Sequence, residues 1–237
     1  MKTTILKPLR TVLRDHANPA DAETLRRFFK TGPGEYAEGD IFIGVRVPII
    51  RRIAKEYQTL PLREATTLLK SKTHEERMLA LVILMHQYEK GTPDEQTKIY
   101  NLYMANTAHI NNWDLIDVTA PHIVGAFLQN QPRAPIYDFA RSDSLWERRI
   151  AIIATLHFIK NCDFEDTLAI AEILLHDKHD LIHKAVGWML REVGKRDIHT
   201  QKSFLKKHYP TMPRTMLRYA IEKFPEESRQ RYLTGIA

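Results

Sequence analysis

Several absences narrow what this 237-residue sequence encodes. It has one cysteine, Cys162, so no disulfide can close within the chain, and a lone thiol at this length suits a reducing compartment. With no Cys-His signature around it, Cys162 reads as a small buried hydrophobe. No apolar stretch approaches the length of a membrane span. Pro8 and the neighbouring Lys and Arg residues interrupt the N-terminal segment before a signal-peptide core can form. A soluble, cytoplasmic protein is expected. Also missing are a convincing alternating strand, a P-loop or dinucleotide fingerprint, and any Ser-His-Asp or Cys-His arrangement.

What is present is helical periodicity. Met78, Leu79, Leu81, Val82, Leu84 and Met85 typify apolar residues recurring at the spacing of a buried helix. The fold class expected is all-α, and 43% apolar residues suffice for one core-bearing domain over residues 1–237. Loops are expected at Asn18-Pro19, Gly91-Thr92-Pro93-Asp94, Asn130-Gln131-Pro132 and Tyr209-Pro210.

The helices repeat one another. EERMLALVILMH, from Glu75 to His86, aligns without a gap on WERRIAIIATLH, from Trp146 to His157. HKAVGWML from His183 and RYAIEKF from Arg218 fit the same frame when Ala80, Ala151, Ala185 and Ala220 are equated, at steps of 71, 34 and 35 residues. The first step is twice the others, so a further copy is expected near Ile116. A period of about 35 with two helices per unit is the signature of an α-solenoid of HEAT-like repeats, which offers a concave face.

Thr31 to Pro48, TGPGEYAEGDIFIGVRVP, stands outside this rhythm and holds four of the nine glycines. Glycines allow left-handed turns and close backbone approach, and Pro48 begins the first turn of a helix. Phosphate binding by Gly44 and Arg46 and a purely structural connection are both open here.

Lys plus Arg is 35 against 29 for Asp plus Glu, a net charge of +6, which favours a polyanionic partner; a merely basic soluble protein fits the number equally well. His176, His179 and His183 have ligand-like spacing, but Asp177 and Asp180 between them read as loop or N-cap residues ahead of the next helix, so no metal site is expected. Trp113 and Asp117 are four apart and share one helix face. Arg149 and Trp188 fall at comparable places in the next two repeats, so the array is expected to bring all four to the concave side.

Taken together, GVRVP at Gly44 to Pro48, NNWDLIDVTAP, LWERRIAI and KAVGWMLRE resemble the DNA alkylation repair family of HEAT-like-repeat DNA glycosylases, in order and over most of the chain. The resemblance implies a monofunctional glycosylase that removes N3- and N7-alkylpurines from double-stranded DNA, without base flipping and without a metal or organic cofactor. It assigns the essential carboxylate to Asp117, the tryptophans flanking the lesion's deoxyribose to Trp113 and Trp188, and the phosphate-contacting arginine to Arg149, with Arg148 as the alternative one residue away. Lys184, Arg191 and Lys195 are further candidates for the DNA backbone. Asn112 stands where some members have a second tryptophan, and Phe28 where a tyrosine is expected. A monomer with no obligate protein partner is expected.

Overall fold

The computed structural model describes residues 5–236. These residues are helical apart from loops and one isolated parallel bridge between Ile41 and Thr73. The chain divides into two compact units, with the boundary between Ile123 and Val124.

In the first unit α1 (Leu6–Arg14), α2 (Pro19–Phe28), α3 (Val47–Glu56), α4 (Leu62–Leu69), α5 (His74–Lys90), α6 (Pro93–Met104) and α7 (Trp113–Ala120) follow in order. Three of the loops foreseen in the sequence carry helix-start chemistry. The Asn18 side chain accepts from the amides of Ala20 and Asp21, with Pro19 in the first turn. Thr92 and Glu95 form a reciprocal capping box around Pro93. Pro48 occupies the first turn of α3. α5 is the centre of this unit: every residue from His74 to Leu84 is buried, and α3, α4, α6 and α7 all pack on it. A helix apolar around its whole circumference belongs in an interior.

In the second unit α8 (Ala126–Leu128), α9 (Ala134–Ala140), α10 (Leu145–Ala154), α11 (Leu156–Lys160), α12 (Glu165–Ile173), α13 (Asp180–Gly194), α14 (Ile198–His208), α15 (Arg214–Ala220) and α16 (Glu226–Thr234) follow. Here α13 is central, packed by α10, α12, α14 and α15.

The repeat frame holds in three dimensions. Ala80, Ile116, Ala151, Ala185 and Ala220 are all buried, on α5, α7, α10, α13 and α15 respectively. The copy expected near Ile116 is therefore a helix with its frame residue in the core. The gap-free alignment extends to polar contacts. Arg77 Nη1 donates to the carbonyls of Ser71 and Lys72, and Arg148 Nη1 to those of Ser142 and Asp143. The Ser71 and Ser142 hydroxyls accept from the amides of Thr73 and Ser144, at 3.1 and 3.0 Å. Each arginine also grips a carboxylate, Asp40 for Arg77 and Asp177 for Arg148. One bracing device thus fixes the start of the inner helix in both units. The copies differ at their far ends: α5 runs on unbroken, whereas WERRIAIIATLH is interrupted at Thr155, whose hydroxyl donates to the Ile152 carbonyl at 2.7 Å, a back-bond that bends helices.

Cys162 departs from expectation. It is exposed and has a left-handed φ of 59° just past α11; the chain reverses there, so the thiol faces outward instead of joining the core.

Gly187 lets α13 lie flush on α15. A Cβ there would stand 2.4 Å from the Met216 carbonyl oxygen and 2.5 Å from Tyr219 Cβ. Gly187→Ala is expected to lower stability by about 1–3 kcal/mol through overpacking, read as a shifted urea-unfolding midpoint with helicity retained.

Candidate functional site

The site in the first unit is built on the N-terminus of α5. Glu75 is 2% exposed, and its carboxylate accepts hydrogen bonds from three successive loop amides: Ile43 at 3.1 Å, Gly44 at 2.8 Å and Val45 at 3.3 Å. Three converging amides form an anion-binding nest, and the anion is the protein's own carboxylate, itself favoured in the first turn of a helix. The Ile43 carbonyl in turn accepts from the Asn18 amide at 3.0 Å. Gly44 has φ +82°, and a Cβ on it would lie 2.0 Å from the Asn18 carbonyl oxygen, so only glycine permits this approach to α2. Of the two roles open for Gly44, the structural one is the one seen: its amide is held by Glu75, and the glycine serves the turn. Arg46 differs. Its guanidinium pairs with Asp21 at 2.6 Å, yet the side chain is 71% exposed, and an exposed pair yields readily to a competing anion.

His74, the neighbour of Glu75, joins the glycine-rich loop to α7. It is buried, and its Nδ1 donates to Asp40 at 3.2 Å and its Nε2 to Asp114 at 2.8 Å. Phe42 stacks on its ring with centroids 4.4 Å apart, and Arg77 holds both oxygens of Asp40 at 2.8 Å. Burial opposes the charged imidazole, but the two carboxylates outweigh it and raise the pKa to about 9. Asp40 moves the other way: burial works against its charge, and His74 and Arg77 nevertheless hold it below the usual carboxylate value.

Asp114 lies in the first turn of α7, which therefore starts from a fixed point. Asn112 caps that turn, its buried side chain accepting from the Trp113 amide at 2.8 Å. Trp113 is half-buried: its ring stacks on Phe29 with centroids 5.2 Å apart, meets Phe28 edge-on, and donates from Nε1 to the Tyr36 hydroxyl at 3.2 Å. Asp117, one turn further on the same face, is also half-buried. The Tyr103 phenol is pushed up by burial first and by the Asp117 charge in addition. Beside α7 lies an open, largely apolar cavity of about 570 Å³, walled by Phe28, Phe29, Phe42 and Trp113. Phe28 is 60% exposed at its edge.

The remaining candidates belong to the second unit. Arg149 is 4% exposed and donates to the Leu181 carbonyl in the first turn of α13. Arg148 grips Asp177 at 2.6 Å. Lys184, Trp188, Arg191 and Lys195 form one stripe along α13, at i, i+4, i+7 and i+11. Each member meets an acid: Lys184 meets Asp180 at 2.7 Å, Arg191 meets Glu222, and both Trp188 Nε1 and Lys195 meet Glu192. Of the histidines with ligand-like spacing, His179 is the N-cap of α13, accepting from the Leu181 amide at 3.1 Å, and His183 bonds the Asp177 carbonyl. Asp177 lies in the loop ahead of the helix, where its carboxylate accepts from the His179 amide at 2.8 Å, and Asp180 is the first helical residue.

Sequence reasoning missed His74, Glu75, Asp40 and Asp114. The available signal was the gap-free alignment itself, which sets His74 opposite Leu145 and so puts a titratable residue at an apolar position of the frame.

Glu75→Gln leaves one acceptor for three amides and places an NH2 against them. It is expected to cost about 2–4 kcal/mol, measured by urea denaturation. The raised pKa of His74 sets a pH window. Its contribution to stability is full below about 6.5, the unfolded value, and is lost as pH rises through about 9. The unfolding midpoint of the wild type is therefore expected to fall between pH 6.5 and 9.5 more steeply than that of His74→Gln; parallel pH profiles would contradict this.

Comparison with known proteins agrees with this architecture. No curated protein sequence matches the chain. A solved structure titled as a predicted DNA alkylation repair enzyme from Enterococcus faecalis is similar in fold, with a TM-score of 0.70 over 89% of this chain and 98% of that one, at 16% sequence identity. The family model described as DNA alkylation repair enzyme matches residues 9–224. With a match over most of its length, the chain belongs to the DNA alkylation repair enzyme family.

Proposed function

We propose that the protein is a monofunctional DNA glycosylase that hydrolyses the N-glycosidic bond of cationic N3- and N7-alkylpurines in duplex DNA, with Asp117 as its catalytic carboxylate. The observation that carries the reading is the division of labour on α7. Asp114 is held from beneath by His74, while Asp117 shares its helix face with the half-buried indole of Trp113. An aromatic ring and a carboxylate one turn apart suit a sugar that becomes cationic.

Alkylation at N3 or N7 already places positive charge on the purine, so the base departs neutral and needs no acid to protonate it. What remains is the oxocarbenium charge that develops on the deoxyribose as the C1′–N bond lengthens. A carboxylate at about 4 Å contributes roughly 4 kcal/mol at an effective dielectric near 20, or about a thousandfold in rate. Each indole face adds about 0.5–2 kcal/mol by cation–π attraction. Asp117 also orients the attacking water. Terms of this size serve a labile, cationic lesion and leave uracil and neutral adducts untouched, and they do not require the base to leave the duplex.

By the family resemblance, Trp188 is assigned to a deoxyribose and Arg149 to a phosphate of the DNA. The repeat favours Arg149 over Arg148. Arg148 performs the bracing that Arg77 performs in the first unit, whereas Arg149 aligns with apolar Met78 and so answers a need particular to its own repeat. Lys184, Arg191, Lys195 and Arg46 are assigned to backbone phosphates. Asp180 and Glu222, which pair with Lys184 and Arg191, are exposed groups that DNA phosphates can replace, and contacts of this kind make binding sequence-independent and dependent on salt.

The test is release of 7-methylguanine and 3-methyladenine from methylated duplex by the wild type and by Asp117→Asn, with DNA affinity followed across a salt series. Wild-type release that drops about a hundredfold or more in the variant, at near-normal affinity, is expected. Salt-dependent binding without release by either protein would instead make this a non-catalytic binder of damaged or branched DNA.

A further inference from the structure

We propose that His74 is a positioning residue: by bridging Asp40 and Asp114 it fixes the first turn of α7, and with it where Trp113 and Asp117 stand. This rests on the glycosylase reading for its catalytic consequence, though not for the clamp itself.

The repeat makes His74 conspicuous. Its aligned counterpart, Leu145, opens α10 as an ordinary apolar side chain, yet at this position the first unit carries an imidazole with 3% exposure. Burying such a group is unfavourable unless both ring nitrogens find partners. Both do, and the partners come from two separate segments, the loop at Asp40 and the helix at Asp114. Phe42 stacks on the ring, and Phe29, 5.2 Å from it between centroids, stacks in turn on Trp113. His74 therefore reaches α7 along two routes, one by charge through Asp114 and one by packing through Phe29.

α7 needs such an anchor. It has eight residues and runs directly into the irregular turn Pro121–Gly125, so its own length does little to fix its rotation. With about 100° between successive side chains, holding Asp114 determines the direction of Asp117 three residues on. A catalytic carboxylate displaced by about 1 Å loses on the order of a hundredfold in rate. The charges facing His74 are Asp40 from the loop, Asp114 from α7 and Arg77 from its own helix. Because two carboxylates bracket the ring, the clamp is ionic and loses grip when either partner is neutralised.

The test uses the full chain with His74→Gln and the gentler Asp114→Asn, which keeps the shape at that position and removes the charge. The expected result is a single-turnover excision constant lowered about tenfold to a hundredfold in each variant, with duplex Kd within about twofold of wild type. Two readouts are independent of catalysis. In the wild type the His74 ring nitrogens give the NMR signature of an imidazolium at pH 8, and amide exchange over residues 113–120 is slow; in both variants that exchange accelerates. Wild-type excision constants in both variants, a neutral His74 at pH 8, or unaltered exchange over 113–120 would each overturn the proposal. A wild type that releases no methylpurine while keeping the imidazolium and the protected helix would uphold the clamp and overturn the enzyme reading.

Discussion

The buried charge at the N-terminus of α5 is the constraint on which the first unit depends. Glu75 and His74 are consecutive, both lie in the core, and they hold different partners. The carboxylate gathers the loop amides of Ile43, Gly44 and Val45, and the imidazole gathers Asp40 and Asp114. Neither is stable there alone, because an ionised group in a low-dielectric interior persists only when its bonding capacity is met. The loop must therefore close over Glu75, and closing brings Asp40 to His74. Satisfaction of the two groups is coupled, which ties a glycine-rich segment with little core of its own to the helix that carries Trp113 and Asp117.

Repetition provides the background against which this departure is visible. The Ser-to-amide and Arg-to-carbonyl contacts at the start of α5 recur at the start of α10, so those residues answer to the architecture. Three positions break the pattern. His74 and Glu75 in the first copy stand opposite Leu145 and Trp146, and Arg149 in the second stands opposite Met78, each bringing charge to a place where the other copy is apolar. A solenoid tolerates such exchanges because each helix pair draws its stability from its neighbours, so one copy can take on chemistry while the rest maintain the stack.

The fold was legible because periodicity is local. Apolar spacing around Ala80, Ala151, Ala185 and Ala220 determined the inner helices, and arithmetic on those positions led to Ile116. Loop starts at Asn18, Thr92 and Pro48 were legible for the same reason, since a cap depends on residues within one turn. The Glu75 nest was not, because it joins residues about thirty apart and acidic residues in a first turn ordinarily face water. Gly44 shows both sides of this: its conformational freedom was readable, while its use depended on a partner that nothing nearby announces. Trp113 and Asp117 on one face followed from helix geometry alone. The tryptophan's support by Phe29 and Tyr36 and the neighbouring Asp114–His74 bond did not, since those partners lie far away in sequence.

The paired state of the basic stripe on α13 bears on how a protein of this family engages DNA. Lys184, Arg191 and Lys195 rest on Asp180, Glu222 and Glu192, so α13 does not present a bare cationic stripe. A stripe of weak, exchangeable pairs attracts a polyanion less strongly than unpaired lysines would, but it also binds undamaged duplex less tightly, which favours release and renewed search. On the proposed reading, discrimination then does not require strong binding. The positive charge of the lesion makes its own glycosidic bond labile, and a correctly held carboxylate at Asp117 has only to act where that bond is already weak. Precision in α7 matters more under such a scheme than total affinity, and the structure provides buried ion pairs where α7 begins and exchangeable ones along the stripe of α13.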